Sequence, residues 1–267
     1  MTSPFLPHHR VQGAADAPLL VLGPSLGTST TVWDPQATAL ARRWRVLRFD
    51  LPGHGGSSAG PLKDHESGGT TVGHLASLVL GLVDHLGRDR FHYAGISLGG
   101  ALGTHLAVRH PERVASLALV CSSAHFGPPG PWRERAALVR REGTGPLLES
   151  APHRWFADPG TAARTPLGSA LLRNLATADP VGYAACCDAL ATYDLRSELA
   201  RVTAPTLVIG GSHDTATPLE HAEELAAGIP GADLRTVATG HLAMEDPQAV
   251  EEALSAHLRA AEPISAR

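Results

Sequence analysis

Residues 91–100 of the 267-residue chain read FHYAGISLGG. The apolar run Phe91–Gly95 predicts a short buried strand, and Leu98–His110 predicts a helix that Pro111 ends. Between them lies the pattern Gly-x-Ser-x-Gly, centred on Ser97. A serine at a sharp turn from strand to helix adopts a strained backbone conformation, and the flanking glycines remove Cβ atoms that would clash. The segment therefore predicts Ser97 as a nucleophile.

A serine hydroxyl is a poor nucleophile until a base removes its proton, so this hypothesis requires an acid and a histidine elsewhere in the chain. Where such a turn carries the nucleophile, the partners follow in the order Ser, Asp, His. Asp214 comes just after the predicted strand Thr206–Gly210, and His241 comes just after the predicted strand Leu234–Val237. Both are expected at the carboxyl edge of the sheet, where open α/β sheets place their sites.

Each of these assignments has a structural alternative. The serine could be an inert residue of a glycine-rich turn, and Asp214 could be a turn aspartate, because Asp favours such loops. Of fifteen histidines, His54, His213 and His221 also lie near candidate loops, but only His241 follows the final predicted strand. No histidines combine with carboxylates at metal-ligand spacing, so no metal site is predicted.

An oxyanion hole requires two backbone N–H groups that point at the developing negative charge. Leu98 directly follows the nucleophile and is predicted to supply one of them. The second is predicted at Leu26, in the loop that follows the strand Leu19–Gly23, because Pro24 has no N–H to donate. An ordinary turn is the alternative for this loop.

Apolar runs alternate with segments of helical periodicity, which is typical of a mostly parallel sheet covered by helices. The other predicted elements are the strands Val46–Asp50 and Val114–Cys121 and the helices Val72–Leu86, Leu219–Ala227 and Ala249–Leu258. With the turn at Ser97, this pattern resembles the α/β-hydrolase fold, and the resemblance implies a mostly parallel eight-stranded sheet flanked by helices.

Residues 122–202 interrupt the alternation, because they contain no convincing strand and several Pro and Gly breaks. Loops of that length without secondary structure are uncommon in compact domains, so a helical insertion is the better interpretation. We therefore predict a core formed by residues 1–121 and 203–267. Residues 122–202 are predicted to form a helical cap, inserted after the sixth strand.

Composition narrows the expected partners. The net charge is −4, so there is no basic excess to bind nucleic acid or an anionic membrane. The sequence has no run of eighteen apolar residues, and its first residues do not resemble a signal peptide. Its three cysteines, Cys121, Cys186 and Cys187, make a poor disulfide framework. The expected partner is a small-molecule substrate, and the expected location is the cytoplasm. The oligomeric state stays open.

On these residues, the chain resembles the 3-oxoadipate enol-lactonases of the α/β-hydrolase superfamily. The opening segments GPSLGT (23–28) and VWDPQ (32–36) are similar to that family, whereas RFDLPGHG (48–55) and GISLGG (95–100) occur throughout the superfamily. The predicted cap carries the most specific likeness, in WRER (132–135), Gly143, WF (155–156), GYAACC (182–187) and YDLR (193–196). The chain departs from the family at Pro24, where asparagine is frequent, and at LAMEDP (242–247), where Ser-Asn-Val-Glu-Gln-Pro is more usual.

The resemblance implies that the substrate is an enol-lactone with a free carboxylate, in aromatic catabolism, and that no metal or organic cofactor takes part. Ser97 would attack the lactone carbonyl while His241 takes its proton and Asp214 stabilises the imidazolium. A carboxylated substrate should meet a cation, and guanidinium groups suit carboxylates. Among the arginines of the predicted cap, the candidates are Arg133, Arg135, Arg140, Arg141, Arg154, Arg164 and Arg173. Most of these are expected to lie on solvated helix faces. Trp132 and Arg135 are the candidates for the pocket, and a packed core aromatic is the alternative for Trp132.

Other functions share the same catalytic set. A broad carboxylesterase, a cofactor-free haloperoxidase or perhydrolase, and a carbon–carbon bond hydrolase would all keep Ser97, Asp214 and His241. Dehalogenases and epoxide hydrolases are disfavoured, because they need a carboxylate where Ser97 stands. From a different class, a ligand receptor could reuse the same scaffold without turnover.

Overall fold

The computed structural model describes residues 6–60, 62 and 68–262. Within these ranges, seven strands form one sheet in the order β1-β3-β2-β4-β5-β6-β7. The strands are β1 (His9–Gln12), β2 (Leu19–Gly23), β3 (Arg45–Phe49), β4 (Phe91–Ile96), β5 (Val114–Val120), β6 (Thr206–Gly211) and β7 (Asp233–Val237). Only the pairing of β1 with β3 is antiparallel. Every residue of β2, β4 and β6 is buried, as expected for central strands of a sheet covered on both faces.

Ten α-helices connect or follow these strands in the described part of the chain. They are α1 (Asp34–Leu40), α2 (Val72–His85), α3 (Leu98–Arg109), α4 (Pro129–Glu142), α5 (Ala151–Trp155), α6 (Thr161–Arg164), α7 (Pro166–Ala176), α8 (Pro180–Ala191), α9 (Leu219–Gly228) and α10 (Pro247–Ala261). Helix α2 packs against α3, and α1 packs against α10. None of the helices in the described ranges is long and apolar enough to cross a membrane.

The mostly parallel sheet with flanking helices confirms the predicted fold class, but the strand count needs correction. The described residues form seven strands instead of eight, and the long helical stretch follows the fifth strand, β5, instead of the sixth. The sequence also failed to indicate β1. This strand has four residues at the edge of the sheet, and their exposure alternates between half-buried and exposed. An edge strand of this kind has no apolar run that would reveal it.

Residues 122–202, here called the helical segment, lie between β5 and β6 and contain α4 to α8. Capping side chains mark the starts of two of these helices. At α8 the Asp179 carboxylate accepts from the N–H groups of Val181 and Gly182, and at α7 the Thr165 hydroxyl accepts from the N–H of Gly168. Helix α4 packs along α8. The only strand-like pairing among the described residues of this segment is a single antiparallel bridge, His125 to Asp194. The division into core and cap stays a prediction.

Candidate active site

Ser97 lies between the end of β4 and the start of α3. Its backbone has φ +57° and ψ −119°, which is an unusual conformation for a residue with a side chain. The Ser97 N–H donates to the carbonyl of Val120 at the end of β5 (3.0 Å), and the Ser122 hydroxyl donates to the carbonyl of Ser97 (2.8 Å). The neighbouring strand thus holds Ser97 in a strained turn, as is common at functional sites.

The glycines around Ser97 allow backbones to approach each other closely. A Cβ atom on Gly95 would overlap the carbonyl oxygen of Gly99, and one on Gly99 would overlap the carbonyl oxygen of Gly23. Helix α3 therefore rests directly on the ends of β2 and β4. This contact places Ser97 at the carboxyl edge of the sheet, where the sequence predicts it.

Asp214 and His241 come together at the same edge, beyond the ends of β6 and β7. The distance between His241 Nδ1 and Asp214 Oδ2 is 2.8 Å, and the Thr217 hydroxyl donates to the same oxygen at 2.7 Å. The other oxygen, Oδ1, accepts from the N–H groups of Ala216 (2.8 Å) and Thr217 (2.9 Å). Each carboxylate oxygen of Asp214 therefore has two hydrogen-bond partners.

These contacts determine the charge on Asp214. Burial by itself raises the pKa of a carboxyl group, but His241 and the donors from Thr217 outweigh it, so the pKa of Asp214 lies below its ordinary value. Asp214 is consequently ionised at neutral pH. An ionised carboxylate at Nδ1 holds the proton of neutral His241 on that nitrogen and leaves Nε2 as the basic one.

The loop that carries His241 is tied to helix α5 and the residues after it. The Glu245 carboxylate accepts from the N–H groups of Gly240 (2.8 Å) and Ala157 (2.9 Å). The N–H of Leu242 donates to the carbonyl of Trp155 (2.8 Å). The helical segment therefore helps to fix the position of the imidazole.

A cavity of about 250 Å³ opens between the sheet edge and the helical segment. Ser97 and His241 line it together with Ser25, Leu26 and Thr217 on the sheet side. On the other side, its walls include Phe126, Trp132, Arg135, Arg154, Trp155 and Tyr183. Cavities that hold drug-sized ligands typically measure about 300–1,000 Å³, so this one suits a small molecule.

The two predicted oxyanion-hole residues lie beside this cavity. Leu26 is in a turn closed by the N–H of Thr28, which donates to the carbonyl of Ser25 (3.1 Å), and Gly27 supplies the positive φ (+81°) that the third position of a type II turn needs. Leu98 opens α3, so its N–H has no acceptor within the helix. The predicted role of both N–H groups stays a prediction.

The structure places both candidate pocket residues, Trp132 and Arg135, in the cavity wall. The Arg135 guanidinium lies 4.8 Å from the centre of the Trp132 ring, and the Trp132 indole N–H donates to the carbonyl of Phe126 (2.7 Å). Sequence reasoning did not single out Arg154, which lines the same cavity. It also missed Thr217, for which the spacing three residues after Asp214 was an available signal.

The other five candidate arginines of the helical segment do not line the cavity. Ion pairs join Arg140 to Asp188, Arg141 to Glu142 and Arg164 to Asp158, while Arg133 and Arg173 are exposed. The prediction of solvated helix faces fits these five residues.

The competing histidines do not line the cavity. His54 is buried and stacks on Tyr183, and burial lowers its pKa. His221 Nδ1 lies 2.6 Å from the Ser123 hydroxyl, and His213 is an exposed residue beside Ser212. In the part of the chain that the structure describes, no three His, Cys, Asp or Glu side chains are grouped as metal ligands.

Known proteins match this chain over most of its length. A family profile for the alpha/beta hydrolase fold matches residues 18–248. "3-oxoadipate enol-lactonase 2" of Acinetobacter baylyi is 34% identical over 92% of this chain and 91% of its own. The crystal structure of the enol-lactonase from Burkholderia xenovorans LB400 superposes with a TM-score of 0.89 at 35% identity, over 94% of this chain and 96% of the other.

A second group of relatives carries a different name. "Putative carbamate hydrolase RutD" of Pseudomonas savastanoi pv. phaseolicola is 33% identical over 85% of this chain and 86% of its own. The predicted resemblance to enol-lactonases is confirmed by the first group.

Proposed function

Because this chain belongs to the α/β-hydrolase fold family, we propose that it is a serine hydrolase that opens the ring of 3-oxoadipate enol-lactone to give 3-oxoadipate. The observation that carries this proposal is the composition of the small cavity, which combines Ser97, His241 and the guanidinium of Arg135. A nucleophile with its base suits an ester or lactone carbonyl, and a guanidinium suits the free carboxylate of the substrate.

The proposed reaction begins when His241 Nε2 takes the proton of the Ser97 hydroxyl as its oxygen bonds to the lactone carbonyl carbon. The negative charge on the carbonyl oxygen is stabilised by the N–H groups of Leu26 and Leu98, while Asp214 stabilises the imidazolium. Collapse of this intermediate breaks the ring C–O bond and expels an enolate, which takes the proton from the His241 imidazolium and tautomerises to the ketone. Neutral His241 then deprotonates water, which attacks the acyl-enzyme, and the proton passes to the Ser97 oxygen as the acid is released.

Residues 122–202 form the cap in this proposal, since Arg135 and Trp132 on α4 and Trp155 on α5 line the cavity that contains Ser97. Similarity to the enol-lactonases of Acinetobacter and Burkholderia supports the choice of substrate. Carbamate hydrolysis is a second candidate, because the RutD relatives are about as identical to this chain. A carbamate needs no carboxylate-binding cation, so the charged cavity wall favours the lactone.

The experiment is to generate the enol-lactone in situ and follow the loss of its ultraviolet absorbance with the wild-type protein and with Ser97→Ala. We expect rapid loss with the wild type, and a fall of at least about 100-fold in kcat/KM with Ser97→Ala, because no nucleophile remains. p-Nitrophenyl acetate and a simple carbamate serve as neutral comparison substrates. Rapid hydrolysis of either one with no effect on the lactone would reject the lactonase and leave a broader esterase or a carbamate hydrolase.

A further inference from the structure

Arg154, near the end of α5, is a half-buried cation that no carboxylate of the described residues balances. Its side chain lines the cavity that contains Ser97 and His241. Its guanidinium donates no hydrogen bond and makes no ion pair to any residue in the described ranges, whereas Arg140, Arg141 and Arg164 on the outside of the helical segment are all ion-paired. A buried charge without a partner is costly, so it is retained where a ligand supplies the partner.

A second guanidinium, that of Arg135 on α4, lines the same cavity, and the described residues of its lining include no Asp or Glu. Burial lowers the pKa of Arg154, and repulsion from Arg135 lowers it further. Both arginines also act on one neighbour, since each opposes the increase in the pKa of Tyr183 that burial causes. Both cations therefore belong to the wall of one cavity.

We propose that Arg154 is a specificity-determining residue that binds the free carboxylate of the substrate jointly with Arg135. The proposal rests on the proposed hydrolase function, whose nucleophile, Ser97, lines the same cavity as this pair. One carboxylate oxygen can accept from each guanidinium, and charge-assisted hydrogen bonds of this kind are the strong ones. Arg135 also has the Trp132 ring against it at 4.8 Å, whereas Arg154 has no ring partner in the described ranges.

The two arginines and Ser97 in one cavity also predict which class of ligand binds there after the reaction. Ring opening converts a lactone with one carboxylate into a dicarboxylate, so the product places one anion at the Arg135–Arg154 pair and the new one near Ser97. A six-carbon dicarboxylate such as adipate should therefore bind to the free protein, and its neutral diamide, adipamide, should not. Removal of Arg154 should weaken adipate binding.

The test is calorimetric titration of adipate into Ser97→Ala protein, in which turnover plays no part. Adding Arg154→Met to that background should raise the Kd for adipate by at least about 10-fold, the typical effect of losing a hydrogen bond between charged groups. Arg154→Lys, which keeps the positive charge, should restore part of the affinity. The matched control is Arg173→Met, an exposed arginine of α7 in the same helical segment, and its Kd should stay within about 2-fold of the parent.

A purely structural role for Arg154 predicts a different pattern. In that case Arg154→Met would lower the melting temperature and weaken the binding of every ligand. The proposal expects an equal or higher melting temperature, because an unpaired buried charge is removed. Equal adipate affinities for Arg154→Met and Arg173→Met, or no adipate binding by the parent, would overturn it.

These outcomes are distinct from failure of the proposed function. If the wild type does not hydrolyse the enol-lactone but adipate binding depends on Arg154, the carboxylate site stands and the substrate is another carboxylated ester. If the lactone is hydrolysed and Arg154→Met leaves both KM and adipate affinity unchanged, the proposed function stands and this inference is wrong.

Discussion

At the scale of single residues, Thr217 contacts both partners of the Asp214–His241 pair. Its hydroxyl lies 2.7 Å from Asp214 Oδ2 and 3.2 Å from His241 Nδ1, and its N–H donates to the other carboxylate oxygen. Asp214 thus receives two of its donors from one residue. Thr217 acts as a positioning residue, since it orients the carboxylate that in turn orients the imidazole.

Thr217→Val keeps the shape of the side chain and removes the hydroxyl donor. We expect kcat for p-nitrophenyl acetate to fall about 10-fold with little change in KM, because the lost hydrogen bond to a charged group weakens the transition state more than substrate binding. Thr217→Ser should restore most of kcat. Steady-state kinetics on the three proteins measures kcat and KM separately. A rise of about 10-fold in KM with kcat unchanged would argue against a positioning role.

The pH dependence of stability gives a second measurement on the same variant. The pKa of Asp214 is below its ordinary value in the folded protein, so its ionised form stabilises the fold above the ordinary Asp pKa, and this contribution is lost as the pH falls. Thr217→Val removes part of that contribution. The difference in unfolding free energy between wild type and Thr217→Val should therefore be constant near neutrality and shrink below about pH 4.

The sequence predicts those site residues whose chemistry depends on local patterns. Ser97 is recognisable from its flanking glycines, and Asp214 and His241 are recognisable from their positions just after strands. Arg154 differs, because nothing in the sequence separates it from the other arginines of the helical segment. Which of them faces the cavity depends on how α4 and α5 pack, and this is a tertiary property that single-sequence periodicity does not report.

At the scale of elements, the contact of α3 with the ends of β2 and β4 controls the geometry of the nucleophile. Gly99 is the helix residue at this contact, where an added Cβ meets backbone atoms of Gly23 and Pro24 that cannot rotate away. Gly81, in the middle of α2, has no atom within 4 Å of the Cβ it would gain. The two residues form a matched pair of helical glycines.

Gly99→Ala should destabilise the protein by roughly 1–3 kcal/mol, because it overpacks a backbone contact. Gly81→Ala should stabilise it by roughly 0.5–1 kcal/mol, because alanine loses less conformational freedom in a helix. Urea unfolding of both variants provides the comparison. Similar midpoints for the two would show that the α3 contact tolerates a methyl group and is not tightly packed.

Among the strands and helices, the most apolar ones are the easiest to predict from the sequence. The buried strands β2, β4, β5 and β6 were predicted to within a residue or so at each end, because both of their faces are covered. The edge strand β1 was missed because its side chains alternate between half-buried and exposed. The helix α1 was missed because its seven residues are too few to show a helical period. The count of eight strands rests on the fold type and not on apolar runs in the sequence, and the described residues form seven strands.

At the scale of the whole molecule, the sheet gathers distant parts of the chain at one edge. Ser97, Asp214 and His241 follow β4, β6 and β7, so parallel strand direction alone brings their loops together. The helical segment closes this edge and contributes the two cations of the cavity, although the chain as a whole has a net charge of −4. The cavity wall therefore carries positive charge in a chain that is negative overall.

The most direct measurement of the central claim is covalent labelling with a fluorophosphonate, followed by peptide mass mapping. The Ser97 oxygen attacks phosphorus and fluoride leaves, so we predict one adduct per chain, located on the peptide that contains Ser97 and absent from Ser97→Ala. His241→Ala should label at least about 100-fold more slowly, because the general base is missing. An adduct on another residue, or equal labelling of Ser97→Ala, would contradict the assignment of Ser97 as the nucleophile.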